Sequence, residues 1–283
     1  MILLPEREKG AVMDFVCPKC RGELVFSDGV KRCSLGHSYD RARAGYFNLI
    51  LGSSGGTHGD NREMVEARRR FLDGDYYLPL ANRLCELVCE HATPTLAVLD
   101  CGCGEGYYTS KIDRALCERL DTPPSVLAFD ISREAAKLAA KRCKRVSVAV
   151  ASCYDVPVAD GAVGVALNVF SPLAPSQVHR TLADGGKYII AYPDEGHLFE
   201  LKAAIYDNPY ENAPSSEPPQ GFTLLHREGI KYEITLDSRE KIGDLFMMTP
   251  YAYRTGKKER ERLEKLEKLT TRVEFLIDVY EKI

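Results

Sequence analysis

No apolar run in these 283 residues approaches the roughly 18–20 needed to cross a bilayer. The opening MILLPEREKG passes from four apolar residues straight into charges, which fits no signal peptide. Positive charge is not in excess. The net charge is −3, which excludes the basic field of a small nucleic-acid binder and leaves room only for local basic patches. There is no internal repeat and no low-complexity bias, and a hydrophobic content of 45% excludes disordered and collagen-like classes. These absences predict a soluble, cytoplasmic chain of one large or two small domains, with no membrane partner.

What the sequence does have is cysteine, ten in all, and three of them cluster with a histidine. In a cytosolic chain such a cluster reads as metal binding, not as a disulfide framework. The residues are Cys17-Pro-Lys-Cys20, then Cys33, then His37, in the spacing C-x2-C-x12-C-x3-H. Two cysteines two residues apart can grip one ion from a single turn, and a second pair a dozen residues later closes a tetrahedron. Four N/S ligands with no open position describe structural zinc, and thiolate with imidazole excludes magnesium or calcium. Lys19, Arg21, Lys31, Arg32, Arg41 and Arg43 surround the cluster, interleaved with Phe15, Phe26, Tyr39, Tyr46 and Phe47. Basic and aromatic residues together suit phosphates and unstacked bases. The alternative is that the aromatics pack beneath the metal.

Beyond a glycine- and serine-rich hinge at 52–60, residues 61–91 carry helical periodicity interrupted near Gly74. Short apolar runs then alternate with helical segments. The expected strands are 96–100 (LAVLD), 126–131, 146–151, 163–170 and 188–192, with helices at 109–120 and 133–142 between them. Runs without alternation fit strands buried on both faces, and the βαβ series predicts a parallel, doubly wound α/β sheet. The tail reads as strands at 222–225 and 230–236, helices at 240–247 and 257–269, and a last strand at 274–280, together forming an antiparallel edge. A Pro-rich loop is expected at 208–221.

The first of these strands runs into Asp100-Cys-Gly102-Cys-Gly104-Glu-Gly106. Glycines here let the backbone turn and approach a ligand at a helix N-terminus. The dinucleotide pattern G-x-G-x-x-G would need a glycine where Tyr107 stands. The spacing D-x-G-x-G-x-G instead resembles that of S-adenosylmethionine (SAM) methyltransferases. Asp130, at the end of the second strand, is the candidate ribose acceptor, and Ser152-Cys153, ending the third, the candidate adenine contact. Cys101, Cys103, Cys85 and Cys89 read as small core residues. The fourth strand delivers Asn168-Val-Phe170-Ser-Pro172, an amide that can bond a base edge and a ring that can stack on it. The segment is reminiscent of the N/D-P-P-Y signature of amino-group methyltransferases but lacks its second proline and tyrosine. A strand-end cap and simple packing are the plain alternative. Asp184-Gly185-Gly186 reads as a tight turn, and His197 and Glu200 could approach the pocket.

With these motifs in view, the chain resembles the RlmA/TlrB-type 23S rRNA (guanine-N1)-methyltransferases. The likeness runs through Phe15–Cys20, Cys33, His37-Ser-Tyr-Asp40 and Ala44-Gly-Tyr-Phe-Asn-Leu49. It continues through Gly59-Asp60, Glu63-Met64, Ala67-Arg68, Arg70-Phe-Leu72, Leu99–Thr109, Phe170-Ser-Pro172, His197-Leu198, Glu200-Leu-Lys202 and Met248-Thr-Pro-Tyr-Ala252. The resemblance implies a class I SAM-methyltransferase fold, Rossmann-like, preceded by a small zinc domain. The pieces read above divide the chain into a zinc-binding block (1–50), a linker with helices (51–91) and a SAM-dependent domain (92–283). The resemblance further implies methylation of guanine N1 in a 23S rRNA hairpin, an RNA-binding role for the zinc block and a homodimer. Cys17, Cys20, Cys33 and His37 would hold zinc. Asp100, Gly102, Gly104, Tyr107 and Asp130 would line the SAM site; the motifs themselves add Gly106 and Ser152 to that site and give Asn168 and Phe170 the holding of the base. Taken as a separate module, the zinc block should be removable without loss of SAM binding. Two rival readings are a small-molecule SAM methyltransferase with a structural zinc knuckle, and a non-catalytic zinc-based RNA-binding module.

Overall fold

The computed structural model describes residues 13–52, 59–213, 217–253 and 255–283. The opening ten residues and most of the expected hinge lie outside the described residues. Strands β1 (Val25–Ser27), β2 (Val30–Arg32) and β3 (Ser38–Asp40) form a small antiparallel sheet, and β4 (Phe47–Asn48) leaves it. Helices α1 (Arg62–Asp73) and α2 (Leu78–His91) follow. Then come β5 (Ala97–Cys101), α3 (Tyr107–Arg119), β6 (Val126–Asp130), α4 (Arg133–Arg142), β7 (Ser147–Val150), β8 (Val163–Val169), α5 (Pro175–Thr181) and β9 (Leu182–Pro193). The tail contributes α6 (Phe199–Ile205), β10 (Phe222–Leu236), α7 (Arg239–Met247), α8 (Lys257–Leu263) and β11 (Leu269–Lys282).

The expected α/β sheet is present with eight strands in the order β10-β11-β9-β8-β5-β6-β7-β4. The six from β9 to β4 are parallel, and β11 and β10 close the other edge antiparallel. From β5 the chain winds one way through β6 and β7, then returns to β8 on the other side of β5. That reversal of strand order opens a crevice at the carboxyl ends of β5 and β8. Every residue of β5 and β8 is buried, which explains why neither alternates.

Local chemistry sets the helices. Asn61 caps α1 by accepting from the Met64 N–H at 3.0 Å, and α1 buries Met64, Val65, Ala67, Phe71 and Leu72. The break expected at Gly74 lies between Gly74 and Tyr77, and α2 restarts with Pro79 in its first turn. Ser132 caps α4, whose buried face is alanine only: Ala135, Ala136, Ala139 and Ala140. That smooth face allows the glycine loop to press close.

The chain departs from expectation in three places, two of them in the tail. The two strands expected at 222–225 and 230–236 are one continuous strand, β10, because its whole length is carried by the ladder with β11. The last strand begins at Leu269, so the helix expected to run to that residue stops at Leu263. The turn at Asp184-Gly185-Gly186 lies inside β9 as a bulge: Leu182 pairs with Val163 and Lys187 with Val165, and the residues between loop out.

The zinc block rests on the main sheet. Phe47 and Asn48 pair in parallel with Ala149 and Val150 of β7, the Leu49 N–H donates to Val150 O at 2.9 Å, and the Val16 N–H to Pro157 O at 2.8 Å. Phe15, Cys17, Leu24, Cys33, Phe47 and Leu49 share one apolar cluster with Leu99, Phe129 and Ala149 of the sheet.

Candidate functional site

Cys17 and Cys20 sit on the turn after Val16, Cys33 directly follows β2, and His37 directly precedes β3. Each pair is held in a tight backbone turn, Arg21 N–H to Cys17 O at 2.7 Å and Gly36 N–H to Cys33 O at 3.0 Å. The four ligand atoms lie within 4.8 Å of one another. Cys17 and Cys33 Sγ are 3.5 and 3.4 Å from His37 Nδ1, and Cys20 Sγ is 3.6 Å from Cys33 Sγ. A tetrahedron with Zn–S of about 2.3 Å and Zn–N of about 2.0–2.1 Å has ligand–ligand edges of roughly 3.5–3.8 Å. The donors therefore fit zinc. Burial works to raise the Cys17 thiol, but the Tyr39 hydroxyl at 3.3 Å and backbone N–H groups outweigh it and bring it down to about 6, toward the thiolate a metal needs. Among the described residues this is the single Cys/His/acid group with metal spacing, and all ten cysteines are free thiols.

The basic and aromatic surround divides. Lys31 is buried, 2.5 Å from Asp14 and 4.3 Å from the centre of the Phe47 ring, so it serves packing and is not available to a phosphate. Phe15 and Phe47 are buried too, as the packing alternative expected. Arg21 reaches across to Asp155 and to Val156 O, clamping the block to the sheet. Lys19, Arg32, Arg41, Arg43 and Phe26 remain exposed.

The second site lies at the carboxyl end of β5. Gly102 has φ +79, and a Cβ there would come within 2.5 Å of the Ser171 side chain. At Gly106, φ +87, a Cβ would lie 3.0 Å from Ala139 Cα on the alanine face of α4. The loop is thus fixed by conformation and by close approach on both sides. Asp100 Oδ2 accepts from Thr109 Oγ1 at 2.5 Å, while its Oδ1 is buried without a partner. Burial, with some help from the Asp130 charge and against the Thr109 bond, raises Asp100 to about 6. An orphaned carboxylate oxygen here fits a ligand that brings a cationic amine, as SAM does. Asp130 accepts from Gly104 N–H at 2.9 Å and Ser132 N–H at 2.8 Å, which fixes its carboxylate at the loop.

The predicted residues do not all converge. Tyr107 directs its hydroxyl to Asp75 at 2.9 Å, so only its backbone belongs to the glycine turn. Ser152 Oγ accepts from the Tyr154 N–H at the end of β7. Asn168 is buried and donates to Pro172 O at 3.1 Å, the strand-end cap of the plain alternative. Phe170 is 40% exposed with φ +56, its ring 5.3 Å from that of Phe275. His197 and Glu200 do not reach the site. His197 is buried between Tyr77 and Phe275, held near 3 by burial, with Nδ1 accepting from the Glu274 N–H; Glu200 binds Arg272 and Thr271. Sequence reasoning assigned no role to Arg68 and Asp60, which form an ion pair beside Gly104. Asp60 O accepts from Ser132 Oγ at 2.7 Å. Both lie in the resemblance, which was the one available signal. Glu105, inside the loop, was also missed: it is buried, and burial raises it to about 7 despite Arg142 at 2.9 Å.

The arrangement matches known proteins in both halves. Residues 15–51 match the family model described as "RlmA, N-terminal", a zinc ribbon, and residues 98–186 match "Methyltransferase domain". A Streptomyces fradiae protein named 23S rRNA (guanine(748)-N(1))-methyltransferase is 31% identical over 261 residues, covering 90% of this chain and 91% of its own. A Bacillus subtilis (strain 168) protein, YxjB, provisionally named for 23S rRNA guanine-N1 methylation, is 28% identical and spans 93% of this chain and 96% of its own. The crystal structure of MccD protein superposes with a TM-score of 0.45 at 17% identity, covering 72% of this chain and 98% of that one. Among the described residues, no helix is long and apolar enough to cross a membrane. The fold is that of a class I SAM methyltransferase carrying a zinc ribbon, and the chain belongs to the RlmA/TlrB-type 23S rRNA (guanine-N1)-methyltransferases.

Proposed function

We propose that this protein transfers the methyl of SAM to N1 of a guanine in a hairpin of 23S rRNA, in the cytoplasm. The observation that carries the reading is the likeness to the Streptomyces fradiae enzyme over nearly the full length of both chains, ribbon and crevice together. In this reading Cys17, Cys20, Cys33 and His37 hold a structural zinc. Asp100 takes the cationic amine on its free oxygen, the backbone of Gly102, Gly104, Gly106 and Tyr107 lines the cofactor, Asp130 takes the ribose hydroxyls and Ser152 flanks the adenine. Lys19, Arg32, Arg41 and Arg43 contact RNA phosphates, which position the substrate without reading it. A homodimer belongs to the same reading, and sedimentation of the purified protein tests it.

When bound, SAM supplies an electrophilic methyl carbon on a sulfonium. The protein's part is alignment: N1, the methyl carbon and sulfur must lie in a line. Phe170 offers a half-exposed ring for stacking a flipped base, and Asn168 supports that ring by capping Pro172. The N1 proton must leave as the bond forms. His197 is not equipped to accept it, being buried with its free lone pair already engaged.

The test is incubation of tritiated SAM with unmethylated 23S rRNA, followed by digestion and mass spectrometry. The expected product is 1-methylguanosine. Methyl on another base, or transfer only to small molecules, would reject the reading.

A further inference from the structure

A cavity of about 350 Å³ lies at the carboxyl ends of β8 and β9. Asn168, Phe170 and Ser171 form one wall. Ser171 Oγ donates to Cys101 O at 2.7 Å and its side chain fills the space against Gly102, so this wall is also the side of the glycine crevice. Ile190, Tyr192 and Asp278 line the cavity from the neighbouring strands. The Phe170 N–H donates to Ala191 O at 3.1 Å, which sets Tyr192, the next residue, across from Phe170 at the mouth.

The hydroxyl of Tyr192 is not free to choose its role. It donates to Asp278 Oδ2 at 2.8 Å. That carboxylate is 1% exposed, gripped by Arg227 through Nε at 2.6 Å and Nη2 at 2.8 Å, and takes a further hydrogen bond from Tyr280 at 2.7 Å. A carboxylate bound by this many donors stays ionised and can only accept. The single proton of Tyr192 is therefore directed at Asp278, and only lone pairs of its oxygen remain for anything in the cavity. An obligate acceptor selects a base edge carrying N–H groups. On this edge guanine has N1–H with the 2-amino group beside it, whereas adenine presents a lone pair at N1 with only C2–H beside it, its one amino group lying on the other side at C6.

We propose that Tyr192 reads the exocyclic 2-amino group of the target guanine, with Asp278 as the positioning residue that keeps its hydroxyl an acceptor. The assignment rests on the function proposed above. N1 has to face the methyl donor, so the neighbouring 2-amino group is what remains for a fixed acceptor beside it. Phe170 then covers the base face from the opposite side of the mouth.

The test uses a synthetic hairpin RNA whose target position has been mapped from the wild-type product. The hairpin carries guanosine or inosine, which lacks only the 2-amino group. The wild-type enzyme is expected to prefer guanosine by tenfold or more in kcat/KM. Tyr192→Phe keeps the ring and removes the acceptor. It should lower the guanosine rate to about that of inosine, leave the inosine rate nearly unchanged, and retain wild-type SAM affinity by calorimetry. Asp278→Asn offers an amide donor to Tyr192 and should abolish the same preference with the tyrosine still in place, which loss of packing alone would not do. A Tyr192→Phe enzyme that keeps the guanosine preference, or a wild type that shows none, overturns the assignment of Tyr192. A wild type that methylates rRNA at a position other than guanine N1 overturns the function itself and this inference with it.

Discussion

The zinc ribbon and the catalytic sheet solve the same problem with different means. Strands β5 and β8 are buried along their entire length, so the sheet is held by apolar burial. In the ribbon, β1 is exposed throughout and β3 nearly so. Three strands of three residues cannot supply a core of their own, and small units of this kind need a staple. The ribbon has two: four N/S ligands on one side, and on the other an apolar seam with the sheet through Phe15, Leu24, Phe47 and Leu49. The comparison teaches that the ribbon is not a bead on a string. In the function proposed above its metal stabilises a surface beside the cofactor crevice, because the segment Arg21 clamps, at Asp155 and Val156, begins two residues beyond Cys153.

The largest effect should come from the metal ligands. Structural zinc contributes apparent binding energies of about 10–16 kcal/mol in small zinc domains, so Cys33→Ala or His37→Ala should take zinc content from about one per chain toward zero by elemental analysis. Calorimetry on the same variants should show weakened SAM binding. Deleting residues 1–50 should do likewise, against the sequence-based expectation of a removable block, because deletion strips β4 from β7. SAM affinity unchanged by the deletion would restore the picture of two independent parts.

The next effect lies in the crevice and should leave zinc untouched. A charge-assisted hydrogen bond is worth about 1.5–3 kcal/mol, so Asp100→Asn should weaken SAM by roughly 10- to 100-fold with full zinc content. The wild type adds a pH signature. Asp100 is raised to about 6, and the amine needs its ionised form. SAM affinity should therefore be full above that value and fall as pH drops through it, whereas Asp100→Asn should titrate little there. The sign for the free protein is opposite. A carboxyl raised in the folded state favours folding when protonated, and that contribution is lost as pH rises through about 6. A flat wild-type profile between pH 5 and 7 would remove Asp100 from the site.

Smaller still are the ribbon's exposed cations. Arg41→Ala and Arg43→Ala should each lower rRNA affinity and change the log–log salt slope by roughly 0.7–0.9, with no change in SAM binding. An unchanged slope in filter binding would turn the RNA footprint elsewhere. Arg21→Ala is the finest probe. Its pair with Asp155 is partly exposed, worth about 0–1 kcal/mol, so at most a few-fold loss of SAM affinity is expected.

Where local chemistry decided the structure, the residues alone were enough. The zinc quartet, the glycine loop after β5 and the α4 boundaries follow from ligand spacing, glycine placement and capping. What stayed hidden depends on distant partners. Nothing near Gly229 tells that β10 runs straight through it, since only the ladder with β11 carries it. Lys31 reads as one more surface cation until Asp14 and the Phe47 ring enclose it. Asp278 lies 86 residues from Tyr192 and carries no motif, so the hydrogen bond joining them could emerge only once β11 lay beside β9.

The two residues of β4 have a consequence for the cell that makes this protein. They occupy the outer edge of β7, and a bridge from Arg41 to Phe47 ties them back to the ribbon. Without the metal that holds the ribbon, β7 would present bare N–H and C=O groups along an open rim, a template on which other chains can pair. Zinc scarcity should then be felt first as lost solubility. Newly made chains would clump through their sheet rims and go to degradation, instead of accumulating as folded, idle enzyme, and the yield of soluble protein would track the metal content of the growth medium.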